Sequence, residues 1–143
     1  MDERLAMLTR NHHFTVVQSS TGDCAKGLIA MDAIEHLTED TIEVTANRPG
    51  LTVIDFWAGW CGPCRAMAPQ FEQAAALRPQ YRFAKVDVDA EPALAGTFGI
   101  RSIPTLVVLR DGWPVAAQAG VVGADELAQA LDRLAAAPTA AAA

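Results

Sequence analysis

From Leu51 onward the chain alternates between short apolar runs and stretches with helical spacing. Leu51–Trp57 is an apolar run with one carboxylate inside it, Asp55, and predicts a buried strand. After about Cys61 the spacing of Met67, Phe71, Ala74, Ala75 and Leu77 predicts a helix to Leu77 that buries those five side chains. Pro69 lies within that helix and is expected to bend it. A strand follows at Arg82–Val88, and Asp89-Ala90-Glu91-Pro92 opens a short helix to about Phe98. Ile103-Pro104 leads into a strand, Thr105–Leu109, and Asp111-Gly112 predicts a tight hairpin turn into Val115–Ala119. Gly120 to Gly123 links this strand to a last helix, Ala124–Leu134, with Leu127, Leu131 and Leu134 facing inward.

The first part of the chain is less regular. Phe14–Gln18 reads as a strand ended by the turn-like Ser19-Ser20-Thr21-Gly22-Asp23, and Leu5, Met7 and Leu8 fit a short helix. Met31–Leu37 fits another strand, with Thr38 offering a cap for a short helix from Glu39 to Ala46. Asn47-Arg48-Pro49-Gly50 is a loop, because Pro and Gly together stop a helix. The element order is βαβ, a further short helix, a ββ hairpin and a helix. This predicts an α/β fold: a central mixed sheet with helices on both faces. Three segments follow from the pattern: an N-terminal extension (1–32), one domain (33–135) and an Ala-rich tail (136–143) expected to fray.

Composition narrows the function classes. At 143 residues, 51% apolar and 20% charged, the chain is long enough for a full core and reads as globular. A net charge of −6 without any Lys/Arg cluster argues against nucleic-acid binding through phosphate neutralisation. No run approaches the ~18 apolar residues of a membrane span. The charged start, Met1-Asp2-Glu3-Arg4, is followed by no apolar stretch of signal length, so a cytoplasmic, reducing setting is expected. Three cysteines are too few for a disulfide scaffold, and two of them are sequence-local.

Those two organise the chain. In Trp57-Ala58-Gly59-Trp60-Cys61-Gly62-Pro63-Cys64-Arg65 the thiols stand three positions apart where strand gives way to helix. The first sulfur falls at a helix N-terminus, where free N–H groups and the positive end of the macrodipole favour a thiolate. The second lies one turn further in. Gly62 allows the tight turn, and Pro63 suits a first helical turn, where a missing N–H is no loss. Arg65 adds a positive charge. The pattern points to thiol–disulfide exchange. A purely structural pair is the rival reading, as is half of a zinc site. Zinc requires four ligands, and the Gly-Pro spacer suits a dithiol better. Asp55 in its apolar strand is expected to be desolvated, which raises its pKa and suits proton transfer. Its bland alternative is a solvated strand-edge residue.

The segment from about Ile34 to Leu134 resembles thioredoxin. The resemblance rests on Val53-Ile54-Asp55-Phe56-Trp57-Ala58 followed by Trp60-Cys61-Gly62-Pro63-Cys64-Arg65, on Lys85-Val86-Asp87-Val88-Asp89, on Phe98 to Thr105 and on Asp111-Gly112. The Ile100-Arg101-Ser102-Ile103-Pro104 version, with an N-terminal extension, is similar to the thioredoxin 2 branch. The resemblance implies a thioredoxin fold and a protein-disulfide reductase acting through Cys61 and Cys64. Cys61 would be the exposed nucleophile, with a pKa below the roughly 8.5 of a free thiol, and Cys64 would resolve the mixed disulfide. Asp55 would help deprotonate Cys64, with Lys85 as the nearby cation that tunes it. Lys85 read alone is a plain surface lysine. Pro104 would form a cis bond facing the cysteines, although by itself it reads as an ordinary strand start. Ile103 would offer its backbone to an extended peptide, as in strand addition. Trp60 with Gly62, Pro63, Gly120 and Val121 would complete the docking surface.

No bound cofactor is implied beyond the redox-active disulfide itself. NADPH and FAD would act only through a partner thioredoxin reductase, and the other partners would be protein disulfides such as reductases and peroxidases. That branch usually carries two zinc-binding Cys-x-x-Cys pairs in its extension. Here Cys24 stands alone with His12 and His13, three ligands at most, so no metal is expected. Trp57 reads as core support, Trp113 as surface packing and His36 as a solvated strand end. The rival from another class is a non-catalytic peptide-binding or chaperone-like module on the same fold. An exported oxidant or isomerase is a further possibility, against which the Gly-Pro spacer argues.

Overall fold

A computed structural model of the chain describes residues 34–138. The strand at Phe14–Gln18, the helix near Leu5, and Cys24, His12 and His13 lie outside these residues, as does most of the Ala-rich tail. Along the described chain the elements are β1 (Ile34–His36), α1 (Ile42–Ala46), β2 (Leu51–Trp57), α2 (Gly62–Leu77), β3 (Arg82–Asp87), α3 (Pro92–Thr97), β4 (Thr105–Arg110), β5 (Trp113–Ala119) and α4 (Ala124–Ala136). The sheet has five strands in the order β1-β3-β2-β4-β5. β1 and β2 flank β3 in parallel, whereas β4 and β5 run antiparallel, so the sheet is mixed as the sequence predicts.

β2 lies in the centre, which is why its run is apolar on both faces. Its side chains alternate between two cores. Leu51 and Val53 join Met67, Phe71 and Ala74 of α2 and Leu127 and Leu131 of α4, with Phe71 and Phe83 in edge contact at 5.2 Å between ring centroids. Ile54 and Phe56 face the other way, with Val86, Val107 and Leu109 against Leu94 of α3 and the half-buried Ile42 of α1. Full burial of each such side chain is worth roughly 1.5–3 kcal/mol. The Asp111-Gly112 turn is as expected: φ is 52° at Asp111 and 89° at Gly112, the pair of positive values that a two-residue hairpin takes. A Cβ at Gly112 would also meet the Ala46 carbonyl oxygen at 3.1 Å.

Three expectations need correction. Leu77 is 41% exposed, because α2 ends there and its last turn has passed the edge of the core. The helix expected over Glu39–Ala46 is only Ile42–Ala46, whereas of the strand expected over Met31–Leu37 residues 31–33 lie outside the described residues and Ile34–His36 do form a strand. Thr38 does not cap that helix. Its N–H instead donates to Thr41 Oγ1 and its carbonyl accepts from Thr41 and Ile42, closing a turn first. α2 continues through Pro69, which stands on its exposed side.

Candidate active site

β2 delivers the chain to Trp57 at its carboxyl end, where an open α/β sheet places its sites. Four residues later Cys61 is the N-cap of α2, in extended conformation (φ −85°, ψ 112°), with Pro63 in the first turn. The Cys64 N–H donates to Cys61 Sγ at 3.2 Å. The sulfur thus occupies the place that a Ser or Asp oxygen takes in an ordinary cap. Cys61 and Cys64 are joined as a disulfide with their Cα atoms 5.2 Å apart.

The outer sulfur is less open than the sequence implies. Cys61 is 4% exposed and Cys64 5%. Both pack with Ala58, and Trp57, Val88 and Ile103 lie against them. Cys61 Sγ sits 3.7 Å from the Ile103 carbonyl oxygen, so the loop ahead of β4 covers it while the disulfide is closed. Gly62 and Pro63 between the thiols remain exposed.

Around this pair stand the other expected residues. The Ile103–Pro104 bond is cis. Gly120, at φ 91°, donates its N–H to the Pro104 carbonyl at 2.9 Å, which joins the loop after β5 to the loop before β4. Val121 beside it is 48% exposed. Trp60 is 69% exposed and held by its indole N–H, which donates to Asp89 Oδ2 at 2.9 Å. Asp89 lies within the Lys85–Asp89 stretch, but nothing local in the sequence marks it as the partner of a tryptophan 29 residues away. Arg65 donates to the Gly59 carbonyl at 3.2 Å, which ties its charge to the turn.

Asp55 is 1% exposed, and neither carboxylate oxygen has a hydrogen-bond partner. Strand alternation puts it on the face of Leu51 and Val53, beneath α2. Burial pushes its carboxyl up to about 6, while the charge of Lys85 pulls the other way. Lys85 is its register partner on β3 and is half-buried, with Nζ 5.7 Å from the centroid of the Trp57 ring. Trp57 is therefore both core support and part of the site's wall. A cleft of about 220 Å³ opens beside Cys64, lined by Trp57, Gly59, Arg65, Ala68 and Lys85 among others. Trp113 is exposed and far along β5's other end, and His36 is exposed at the end of β1, as expected. Among the described residues no group of three or more His, Cys, Asp or Glu side chains is placed to hold a metal ion.

Cys61 at the helix start and its bonded partner Cys64 form a dithiol/disulfide couple. The comparisons agree with that chemistry. The thioredoxin family model matches residues 33–133. Thioredoxin C-3 of Corynebacterium nephridii is 39% identical over 117 residues, covering 82% of this chain and 81% of that protein. A putative thioredoxin 2 of Streptomyces coelicolor is 44% identical over 92 residues, 64% of this chain and 69% of its own. Among solved structures, a thioredoxin of Malassezia sympodialis superposes with a TM-score of 0.65 at 31% identity, covering 72% of this chain and 91% of that one. The chain belongs to the thioredoxin family, and Cys61 and Cys64 make it a thiol–disulfide oxidoreductase.

Proposed function

We propose that the chain is a protein-disulfide reductase in which Cys61 attacks and Cys64 resolves. With the pair reduced, the Cys61 thiolate attacks one sulfur of a substrate disulfide. A mixed disulfide forms, and the other substrate sulfur leaves as a thiolate that takes up a proton. Cys64 then gives its proton to Asp55 and attacks Cys61 Sγ, closing the Cys61–Cys64 bond and releasing the second substrate thiol. Two electrons have passed to the substrate. The observation that carries this assignment is the capping bond: the Cys64 N–H points at Cys61 Sγ, so negative charge on Cys61 is the charge that the helix start favours. Asp55 suits the proton because its carboxyl lies near 6 and has no other partner to satisfy it.

The docking surface is assigned to Trp60, Gly62, Pro63, Ile103, Pro104, Gly120 and Val121, which flank the disulfide. Trp60, Gly62, Pro63, Gly120 and Val121 are exposed and Ile103 is half-buried, while Pro104, itself buried, accepts from the Gly120 N–H, and this supports the assignment. A substrate chain would run extended along the Ile103 backbone. Electrons are stored on the two sulfurs with no bound cofactor. They are restored by a flavin- and NADPH-dependent thioredoxin reductase, whose dithiol reopens the bond. Residues 33–135 are the catalytic domain, in keeping with the family match, and 1–32 and 136–143 are additions to it. A reducing cytoplasm is the setting in which such a dithiol stays charged.

Turnover of insulin disulfides by the purified chain, with NADPH and a bacterial thioredoxin reductase, tests this reading. NADPH consumption that depends on both Cys61 and Cys64 is the expected result. Acceleration of insulin precipitation by dithiothreitol without any turnover from NADPH would remove the reductase as partner. Absence of both would leave the non-catalytic peptide-binding module.

A further inference from the structure

The segment that follows β5 has no regular structure from Val121 to Gly123, yet its backbone N–H groups are taken in an ordered way. Gly120 donates to the Pro104 carbonyl at 2.9 Å. Val122 donates to Met67 Sδ at 3.3 Å, in a buried contact. Ala124, the first residue of α4, donates to Gln70 Oε1 at 2.9 Å. Gly123, the N-cap of α4, has no side chain to offer its own helix, so Gln70 supplies the cap from α2. Two of these three anchors come from the helix that begins at the thiols. Cys64, Met67 and Gln70 are each three residues apart and share one face of α2.

Met67 is fully buried and Val122 is 9% exposed. A buried N–H without an acceptor costs about 1–3 kcal/mol. A thioether is a weak acceptor, but at this place it is the acceptor that the Val122 N–H has. Val121, 48% exposed, stands in the chain between the anchored Gly120 and Val122. An apolar residue of the same size would fill the space of Met67 and leave the Val122 N–H without a partner.

We propose that Met67, seconded by Gln70, is a positioning residue that fixes the Gly120–Val122 wall of the groove relative to the cysteines for protein substrates. This rests on the groove assignment made above. A protein substrate laid along Ile103 meets that wall, whereas a small disulfide meets only the sulfurs. α2 thereby sets both the place of the thiols and the place of the surface that presents a disulfide to them.

The experiment compares insulin with hydroxyethyl disulfide as substrates, each coupled to NADPH through the reductase. The variants are Met67→Leu, which keeps the volume but removes the acceptor, and Gln70→Ala, with Gln70→Glu restoring an acceptor. For Met67→Leu and Gln70→Ala the ratio of kcat/KM for insulin to that for hydroxyethyl disulfide is expected to fall about 2- to 10-fold, the equivalent of one net hydrogen bond. The fall is expected in KM, and Gln70→Glu should recover most of it. An unchanged ratio in folded Met67→Leu would overturn the proposal, as would an equal loss on both substrates. If Met67→Leu does not fold, the Gln70 pair decides. A parent protein that turns over neither substrate would instead refute the reductase reading itself.

Discussion

Asp55 and Lys85 face each other as register partners across β2 and β3, yet no hydrogen bond joins them. The lysine lies with its ammonium 5.7 Å from the centroid of the Trp57 ring, and the carboxylate is left buried and unpaired. A paired Asp would be held low and inert near neutral pH. This one is pushed up to about 6, burial outweighing the pull of Lys85.

Stability should carry the mark of that acid. Well below pH 3.8 Asp55 is protonated in both the folded and unfolded chain, and no penalty arises. Between its unfolded value of 3.8 and its folded value of about 6, the unfolded chain releases the proton while the folded one retains it. The unfolded chain then binds fewer protons, so stability falls as pH rises. The loss levels off above the folded value and amounts to about 3 kcal/mol. Asp132 acts in the opposite sense, since hydrogen bonds from Arg78 and Tyr81 hold its carboxyl low. The measurement is therefore urea unfolding of the oxidised protein at pH 4 and pH 8, parent against Asp55→Asn. The parent should lose more stability than the variant over that interval. Equal losses would show that Asp55 titrates normally.

Lys85 has two effects that pH separates. Its charge lowers the Asp55 carboxyl only when Asp55 can ionise, whereas its packing on Trp57 is present at all pH. Lys85→Met should thus raise the Asp55 titration further and destabilise the fold more at pH 8 than at pH 4. A cation–π contact of this kind is worth about 0.5–1 kcal/mol at either pH. The same unfolding series reads both, and a pH-independent difference would assign Lys85 to packing alone.

How much of this is legible in the sequence depends on the distance over which each feature is decided. β2 is legible to the residue because a central strand is apolar on both faces, and the Cys61 cap because Pro63 and the strand end fix where α2 begins. The turn at Thr38 is not, since its own N–H is taken by Thr41 Oγ1 and periodicity does not show which of the two threonines precedes the helix. The cover over Cys61 comes from Ile103, 42 residues away, and the acceptor of the Val122 N–H from Met67, 55 residues away. Met67 shows as a core position in the pattern, but nothing local announces that its sulfur is also an acceptor.

Leu77 and Leu131 look alike in the sequence and should behave differently. Leu131 is completely buried between α4 and the sheet, so Leu131→Ala removes apolar contact and leaves a cavity, at a cost of about 2–5 kcal/mol. Leu77 stands 41% exposed at the end of α2, and Leu77→Ala is expected to cost no more than about 1 kcal/mol. Thermal unfolding of the two variants checks the contrast. Similar shifts in both would mean that the end of α2 is packed more tightly than its exposure indicates.

The order of attack is open to a direct trap. With Cys64 replaced by Ser, a substrate captured on Cys61 has no neighbouring thiolate to release it, so the mixed disulfide persists until an outside thiol arrives. With Cys61 replaced by Ser, the remaining sulfur sits one turn inside α2, away from the helix tip whose N–H favours a thiolate. Incubation with insulin followed by non-reducing electrophoresis should therefore show a covalent adduct for Cys64→Ser that dithiothreitol dissolves, and little or none for Cys61→Ser. Parent protein should show no lasting adduct, since Cys64 completes the exchange. The reverse pattern, with adducts only on Cys61→Ser, would exchange the two roles and place the attacking charge away from the N–H that points at Cys61.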